Sequence, residues 1–169
     1  MADFSATGKK SRRKGASFEL KIAKKLTSWS GINIRRTPMS GGWSKTGDIT
    51  PKDPEKMVKW PFSFELKNHD TWVLSDLITG IRPNKIPAWW KQTVDDSMET
   101  WRMPILVFTR NLFPDLMMMD ENHYGLVFRG KKPSMVWDGK AILLFEELLK
   151  EDFDTVSDRI RKELYNEAT

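Results

Sequence analysis

The feature that most constrains the fold is a short segment near the middle of the chain, PFSFELK at residues 61–67. Apolar and charged side chains alternate at its end, and successive side chains of a strand point to opposite faces. Phe64 and Leu66 therefore point to one face, and Glu65 and Lys67 point to the other. The segment predicts a β-strand with a buried apolar face and an opposite face that carries an acid beside an amine.

A second carboxylate precedes this strand. Asp48 follows a glycine-rich loop and begins another short extended run, Gly47-Asp48-Ile49. An Asp followed at a distance by Glu-x-Lys on a strand is the arrangement that a metal-dependent phosphodiesterase needs. Two carboxylates hold Mg²⁺, and the lysine orients or activates the attacking water. Ordinary roles are also open: a turn aspartate at Asp48, and a solvated strand face or an ion pair at Glu65 and Lys67.

Length and composition exclude several classes of protein. The 169 residues suit one domain rather than two. The chain has no cysteine, which excludes disulfides and thiolate metal sites. Its two histidines, His69 and His123, are too few and too far apart in the sequence to indicate a zinc site. No apolar run is long enough to span a membrane, so we expect a cytoplasmic protein without a membrane partner.

The charge distribution favours a polyanionic partner. The net charge is +5, and residues 1–13 contain few apolar groups, so we expect them to form a disordered basic arm. The basic side chains at this end are Lys9, Lys10, Arg12, Arg13 and Lys14. Residues 141–169 carry eight acidic and four basic side chains. A basic arm and body beside an acidic tail favour binding to nucleic acid, although basic runs also serve simply to keep a terminus in solution.

The order of the predicted elements indicates an α/β fold. In chain order they are a helix at about 15–30, strands at 32–37, 48–50 and 62–67, a helix at 87–102 and a buried strand at 105–108. Weaker signals indicate strands at 116–119, 124–128 and 134–137, and a helical end from residue 142 onward with a break near residue 153. The helix at 87–102 is predicted from an apolar stripe of Trp90, Val94, Met98 and Trp101. We expect a central mixed β-sheet flanked by α-helices.

Five segments together resemble archaeal-type Holliday-junction resolvases, which belong to the PD-(D/E)xK, or restriction-endonuclease-like, nuclease superfamily. The segments are KGASFE at 14–19, RR at 35–36, SGG at 40–42, GDI at 47–49 and FELK at 64–67. The resemblance covers residues 14–110 and implies a single nuclease domain at 14–169, with 111–169 as a C-terminal extension. One departure is that Gly47 replaces the proline that precedes the motif aspartate.

The resemblance implies a restriction-endonuclease-like core and a Mg²⁺-dependent endodeoxyribonuclease that cuts phosphodiester bonds. It implies that Glu19, Asp48 and Glu65 are the metal-site carboxylates and that Lys67 is the catalytic lysine. We expect Mn²⁺ to be able to replace Mg²⁺, and we expect the DNA to be branched, as in a four-way junction. The alternatives are a sequence-specific restriction or nicking endonuclease, and a catalytically inactive nucleic-acid-binding protein with the same fold.

Further residues are predicted to contact DNA or support the site. Ser40 matches a family position that contacts the scissile region, and Arg35 and Arg36 are expected to bind phosphates together with the basic arm. Trp43 either inserts into unstacked DNA or anchors its loop. Gln92 resembles a glutamine found in many members of the superfamily, and an ordinary surface glutamine is an equal alternative.

A resolvase must cut two strands at symmetry-related points, so we expect a homodimer. Candidate interface groups are Leu112, Phe113 and the run Met117–Met119, although the methionines also suit the core. A small protein of this kind suits a bacteriophage or a mobile element, and in the first case it acts in the host cytoplasm.

Overall fold

The computed structural model describes residues 4–37 and 47–167, and the statements below refer to these residues. The strands are β1 (Ile34–Arg36), β2 (Ile49–Pro51), β3 (Phe62–Asn68), β4 (Met103–Thr109), β5 (Leu116–Asp120), β6 (Met135–Trp137) and β7 (Lys140–Leu144). The α-helices are α1 (Phe4–Ser30), α2 (Leu74–Thr79), α3 (Ile86–Met98), α4 (Glu121–Val127) and α5 (Phe153–Glu167). Two 3₁₀ helices lie at Pro54–Lys59 and Phe145–Lys150.

The seven strands form one mixed sheet in the order β1-β2-β3-β4-β5-β7-β6. β3 and β4 run parallel, and the other neighbouring strands pair antiparallel. A parallel pair needs a crossover connection, and the segment that carries α2 and α3 supplies it. The predicted α/β fold, a central mixed sheet flanked by helices, is confirmed.

Two apolar clusters cover the two faces of the sheet. The larger one packs α1, α4 and α5 against one face, and the smaller one packs α2 and α3 against the other. β4 contributes to both, because Ile105 and Val107 enter the larger cluster while Leu106 and Phe108 enter the smaller one. This alternation explains why its sequence is apolar throughout, as expected for a strand buried on both faces.

Helix α1 begins much earlier than the sequence predicts. It starts at Phe4, so residues 4–13 are helical and the prediction of a disordered arm is wrong for them. The stretch contains no proline, and its Ala, Lys and Arg residues are good helix formers, which lets the helix continue beyond its apolar stripe. Neither α1 nor any other described helix is long and apolar enough to cross a membrane.

Helix α3 buries a different face from the predicted one. Its buried residues are Ile86, Trp89, Thr93 and Ser97. On the predicted stripe, Met98 and the nearby Trp101 remain 68% and 69% exposed. Burial of the hydroxyls is possible because Thr93 Oγ1 donates to Trp89 O and Ser97 Oγ donates to Val94 O, both at 2.8 Å.

The C-terminal third departs most from the predicted elements. Residues 140–144 form the strand β7 instead of a helix, because this apolar run pairs with β5 along its whole length. The predicted strand at 124–128 is the helix α4, which Asp120 caps by accepting a hydrogen bond from Asn122 N at 2.9 Å. Met117–Met119 are completely buried, so they pack in the core and not in an interface. Residues 111–169 thus supply three of the seven strands.

Candidate active site

The register of β2 and β3 brings two carboxylates together. Ile49 pairs with Phe64, and both side chains are completely buried in the larger core. Asp48 and Glu65 are their immediate neighbours on the two strands, so they share the opposite side of the sheet. Glu65 is 5% exposed, which is unusual for a carboxylate without a dedicated role.

The Asp48 side chain is fixed against the backbone of β3. Its carboxylate accepts a hydrogen bond from Leu66 N at 2.8 Å, and its own backbone N–H donates to Phe64 O at 2.8 Å. Gly47, just before it, has a φ of +79°, and a Cβ added there would lie 2.5 Å from Phe64 O. Only glycine permits this close approach, which explains the residue found in place of the motif proline.

Burial and the charges of nearby carboxylates raise the pKa values of both Asp48 and Glu65. Burial, followed by the negative charge of Glu65, raises the pKa of Asp48 to about 7, although the Leu66 N–H acts in the opposite direction. Burial also raises the pKa of Glu65, although Lys67 opposes that shift. Two neighbouring carboxylates whose charged forms are destabilised by burial suit a divalent cation, because Mg²⁺ is typically bound through one or two carboxylates together with waters and substrate phosphates.

Lys67 links the strand carboxylates to helix α3. Its ammonium forms an ion pair with Glu65 and donates to Gln92 Oε1 at 3.1 Å. Gln92, predicted only loosely, therefore contacts the proposed catalytic lysine. Asp96 is a further α3 residue at the site, since its charge contributes, after burial, to the raised pKa of Glu65. Asp96 was not predicted as a site residue. Its spacing of four from Gln92, which places both on one helix face, is the signal that could have indicated it.

Glu19 approaches the same region from the other face of the sheet. It lies on α1 and forms an ion pair with Arg36 of the edge strand β1. After burial and Glu65, its charge also raises the pKa of Asp48, so it lies near the pair. Within residues 4–37 and 47–167, however, no group of three acidic or histidine side chains is close enough to hold a metal. The described residues that fit a metal are thus Asp48 and Glu65, and the role of Glu19 stays a prediction.

The residues predicted to contact DNA are placed only in part. Arg12, Arg13 and Arg35 are exposed, and Lys14 forms an ion pair with Asp70 at 2.6 Å. Lys9 and Lys10 lie within α1, but their side chains fall outside the described part of the structure. Ser40 and Trp43 also lie outside the described residues.

Three comparisons with known proteins show what this chain is similar to. A family model described as "Phage putative PDDEXK endonuclease" matches residues 10–164. A comparison with curated proteins found no match. Among solved structures, the fold is similar to that of Hjc, a Holliday junction resolvase from the archaeal hyperthermophile Archaeoglobus fulgidus. The two share 10% sequence identity with a TM-score of 0.40, over 85% of this chain and 99% of that one.

Proposed function

The chain belongs to the phage PDDEXK endonuclease family, and from that premise we propose that it is a divalent-metal-dependent endonuclease that cuts branched DNA. The observation that carries the proposal is the buried pair of Asp48 and Glu65 with the Lys67 ammonium beside it. These are the two carboxylates and the lysine that the family chemistry requires; Glu65 and Lys67 lie on β3, and Asp48 immediately precedes the adjoining strand β2.

Asp48 and Glu65 are the residues that would hold Mg²⁺, with Mn²⁺ as a substitute. When bound, such an ion polarises the phosphate and lowers the pKa of a bound water. Lys67 orients the attacking water, since its ammonium is already held at the carboxylates by Glu65. Gln92 restricts the lysine further by accepting a second hydrogen bond from it at 3.1 Å. This second contact would keep the amine in place if Glu65 also held the metal.

Basic residues around the site would bind the DNA backbone. Arg35 is exposed on the edge strand β1, and Arg12 and Arg13 are exposed on α1. Arg36 combines two roles, because its ion pair with Glu19 joins the phosphate-binding edge to a site carboxylate. Phosphate contacts of this kind supply affinity and orientation without reading the sequence.

The preference for branched DNA rests on the five motif segments that resemble junction resolvases. Resolution of a four-way junction requires two sites on one side of a C₂ dimer, so we propose a homodimer that acts on DNA in the host cytoplasm. Light scattering measures the oligomeric state. A monomer that nicks linear duplex as readily as a junction would refute the resolvase part of the proposal and leave the nuclease part.

The central test is incubation with labelled four-way junction, flap and linear duplex, with Mg²⁺, with Mn²⁺ and with EDTA. Lys67→Ala should reduce cleavage by a factor of about 10² or more, while DNA binding stays within a few-fold. The matched control is Lys150→Ala, which removes an exposed lysine that pairs with Glu147 far along the chain. If Lys67→Ala cuts at the wild-type rate, the role of this lysine is wrong. Equal cutting in EDTA would refute the metal dependence.

A further inference from the structure

The turn between β4 and β5 presents a fully exposed leucine. Leu112 has a relative exposure of 106% and a backbone φ of +56°, in the left-handed region that residues other than glycine rarely adopt. Exposure of a leucine forfeits the free energy of its burial, and the backbone conformation is unfavourable as well. Residues that carry such costs concentrate where a protein binds a ligand.

The turn and the candidate active site lie toward the same ends of the sheet strands, the C-terminal ends of β3 and β4. β3 and β4 are parallel, and Asn68 pairs with Thr109 where both strands end. Lys67 immediately precedes Asn68, and Leu112 follows Thr109 by three positions. His69 donates its backbone N–H to Thr109 O at 3.1 Å, which keeps the two chain segments together beyond the sheet.

Hydrogen bonds hold the turn in one conformation. Thr109 Oγ1 donates to Phe113 O at 3.0 Å, and Phe113 N donates to Arg110 O at 3.2 Å. Asn111 N donates to a carboxylate oxygen of Asp70 at 2.8 Å. The residues on both sides of Leu112 are therefore tethered, and its exposed position is a fixed feature of the turn.

Aromatic contacts support the turn from inside. The indole N–H of Trp72 donates to Thr109 O at 3.2 Å, and its ring packs edge-on against Phe113 at 5.3 Å between centroids. The Arg110 guanidinium lies over both rings, 5.4 Å from the Trp72 centroid and 4.8 Å from that of Phe113. These contacts pack the aromatic side chains inward and leave Leu112 in solvent.

Cations line the cleft that Leu112 borders. The cleft has a volume of about 390 Å³, and its polar lining includes Lys14, Lys21, Arg110, Asn68 and Asn111. Its lining contains no carboxylate in the described part of the chain. Lys14 and Lys21 form ion pairs with two carboxylates outside this lining, the exposed Asp70 at 2.6 Å and the buried Asp115 at 2.7 Å. Two positioned ammonium groups, the Arg110 guanidinium and the two amides suit a phosphate backbone, whose oxygens would take the place of the carboxylates at the lysines.

We propose that Leu112 is a wedge that inserts beside an unstacked base at a branch point in DNA, while Lys14, Lys21 and Arg110 bind the adjacent phosphates. The proposal rests on the proposed function, because it gives this nuclease a means to select branched DNA. Insertion of an apolar side chain between bases costs unstacking energy. At a branch point the stack is already interrupted, so the cost is lower there than in continuous duplex.

A second copy of the chain is the other possible partner for an exposed leucine, and the surroundings of Leu112 argue against it. A stable interface buries about 800 Å² on each partner, far more than one side chain offers. The neighbouring Phe113 is already half-buried, and beside it the cleft presents Arg110, which forms no salt bridge with a described carboxylate. Two copies of the Arg110 guanidinium brought together would repel each other, whereas DNA phosphates would attract it.

Leu112→Gly tests the wedge without harming the fold. Glycine adopts a φ of +56° without strain, so the variant should unfold at the same or a higher urea concentration than the wild type. Binding is measured in EDTA on a four-way junction and a linear duplex that carry 2-aminopurine, at the branch point in the junction. The wild type should raise the 2-aminopurine fluorescence of the junction only. Leu112→Gly should abolish this rise and lower the ratio of junction affinity to duplex affinity at least about tenfold.

Two controls complete the experiment. Leu112→Phe keeps an apolar wedge and should keep the fluorescence rise, whereas Val58→Ala truncates a 62% exposed apolar residue near the opposite end of β3 and should change nothing.

An unchanged affinity ratio and fluorescence rise in Leu112→Gly would overturn the wedge. So would light scattering that shows a dimeric wild type and a monomeric variant. The fluorescence assay needs no cleavage, so a protein that cuts no DNA would overturn the proposed function while the wedge is still decided.

Discussion

Gly47→Ala tests whether the close approach of the motif loop to β3 positions Asp48. Gly47 has a φ of +79°, and an added Cβ would lie 2.5 Å from Phe64 O and 2.9 Å from Phe64 N. The left-handed conformation costs about 1–3 kcal/mol for a residue other than glycine, and overpacking against a backbone costs about 1–3 kcal/mol more. We therefore expect the free energy of unfolding to fall by about 2–6 kcal/mol, a large part of the about 5–15 kcal/mol typical of a domain.

The chain offers a matched control in Gly31→Ala. Gly31 follows α1 with a φ of +67°, but a Cβ added there meets nothing within 4 Å. This variant should lose only the conformational part of the free energy of unfolding, about 1–3 kcal/mol. Urea unfolding followed by tryptophan fluorescence measures both variants, and the difference between them isolates the steric contact with Phe64.

The rate of DNA cleavage should also differ between the Gly47→Ala and Gly31→Ala variants. The contact at Gly47 can be relieved only by moving the loop or β3, and either movement displaces Asp48, whose N–H and carboxylate both bond β3. A misplacement near 1 Å costs about 10²-fold in rate. At a temperature where both variants are folded, Gly47→Ala should lose about this factor and Gly31→Ala should cut normally. Equal losses of stability in both variants would refute the steric argument, and normal cutting by Gly47→Ala would refute the role of Asp48.

Three further predictions follow from the site. In the metal-free protein, burial raises the pKa of Asp48 from 3.8 to about 7. Between these pH values the folded state keeps a proton that the unfolded chain has lost. The free energy of unfolding should therefore fall as the pH rises from 3.8 to about 7. The slope is at most about 1.4 kcal/mol per pH unit, and Asp48→Asn should flatten it in urea unfolding. Arg35→Ala should reduce the slope of log K against log salt by about 0.9 for duplex DNA, whereas Arg159→Ala on the acidic helix α5 should leave it unchanged. Gln92→Ala should lower kcat about tenfold with DNA binding unchanged, because Lys67 loses a charge-assisted hydrogen bond; an unchanged kcat would mean that Glu65 alone orients the lysine.

The sequence predicted the central pair of the site because that pair depends on short-range rules. Alternation along β3 places Glu65 and Lys67 on one face, and antiparallel pairing of two short strands then brings Asp48 beside them. The ion pair between Glu19 and Arg36 follows from no local rule, since it depends on how α1 crosses the edge of the sheet. Asp96 differs, because its spacing of four from Gln92 is a local signal that places both residues on one helix face.

The errors in secondary structure have a common origin in competing local patterns. In α3 the apolar residues indicate one face, but Thr93 and Ser97 can be buried on another because their hydroxyls bond carbonyls of their own helix. The run at 140–144 suits a helix or a buried strand equally well, and only its pairing with β5 decides between them. Both cases depend on tertiary contacts that periodicity does not report.

The charge balance of the candidate site favours a divalent occupant over a monovalent one. The carboxylates whose charges act on one another are Glu19, Asp48, Glu65 and Asp96. Among the described residues, the cations that pair with them are Lys67 and Arg36. Two negative charges are thus left uncompensated when all four acids are ionised, and burial makes that imbalance costly. Na⁺ or K⁺ would neutralise half of it, whereas one Mg²⁺ or Mn²⁺ would neutralise it completely.

Added Mg²⁺ should therefore raise the free energy of unfolding near neutral pH, as measured by urea unfolding. NaCl at an equal ionic strength should not raise it, and Asp48→Asn should remove the difference between the two salts.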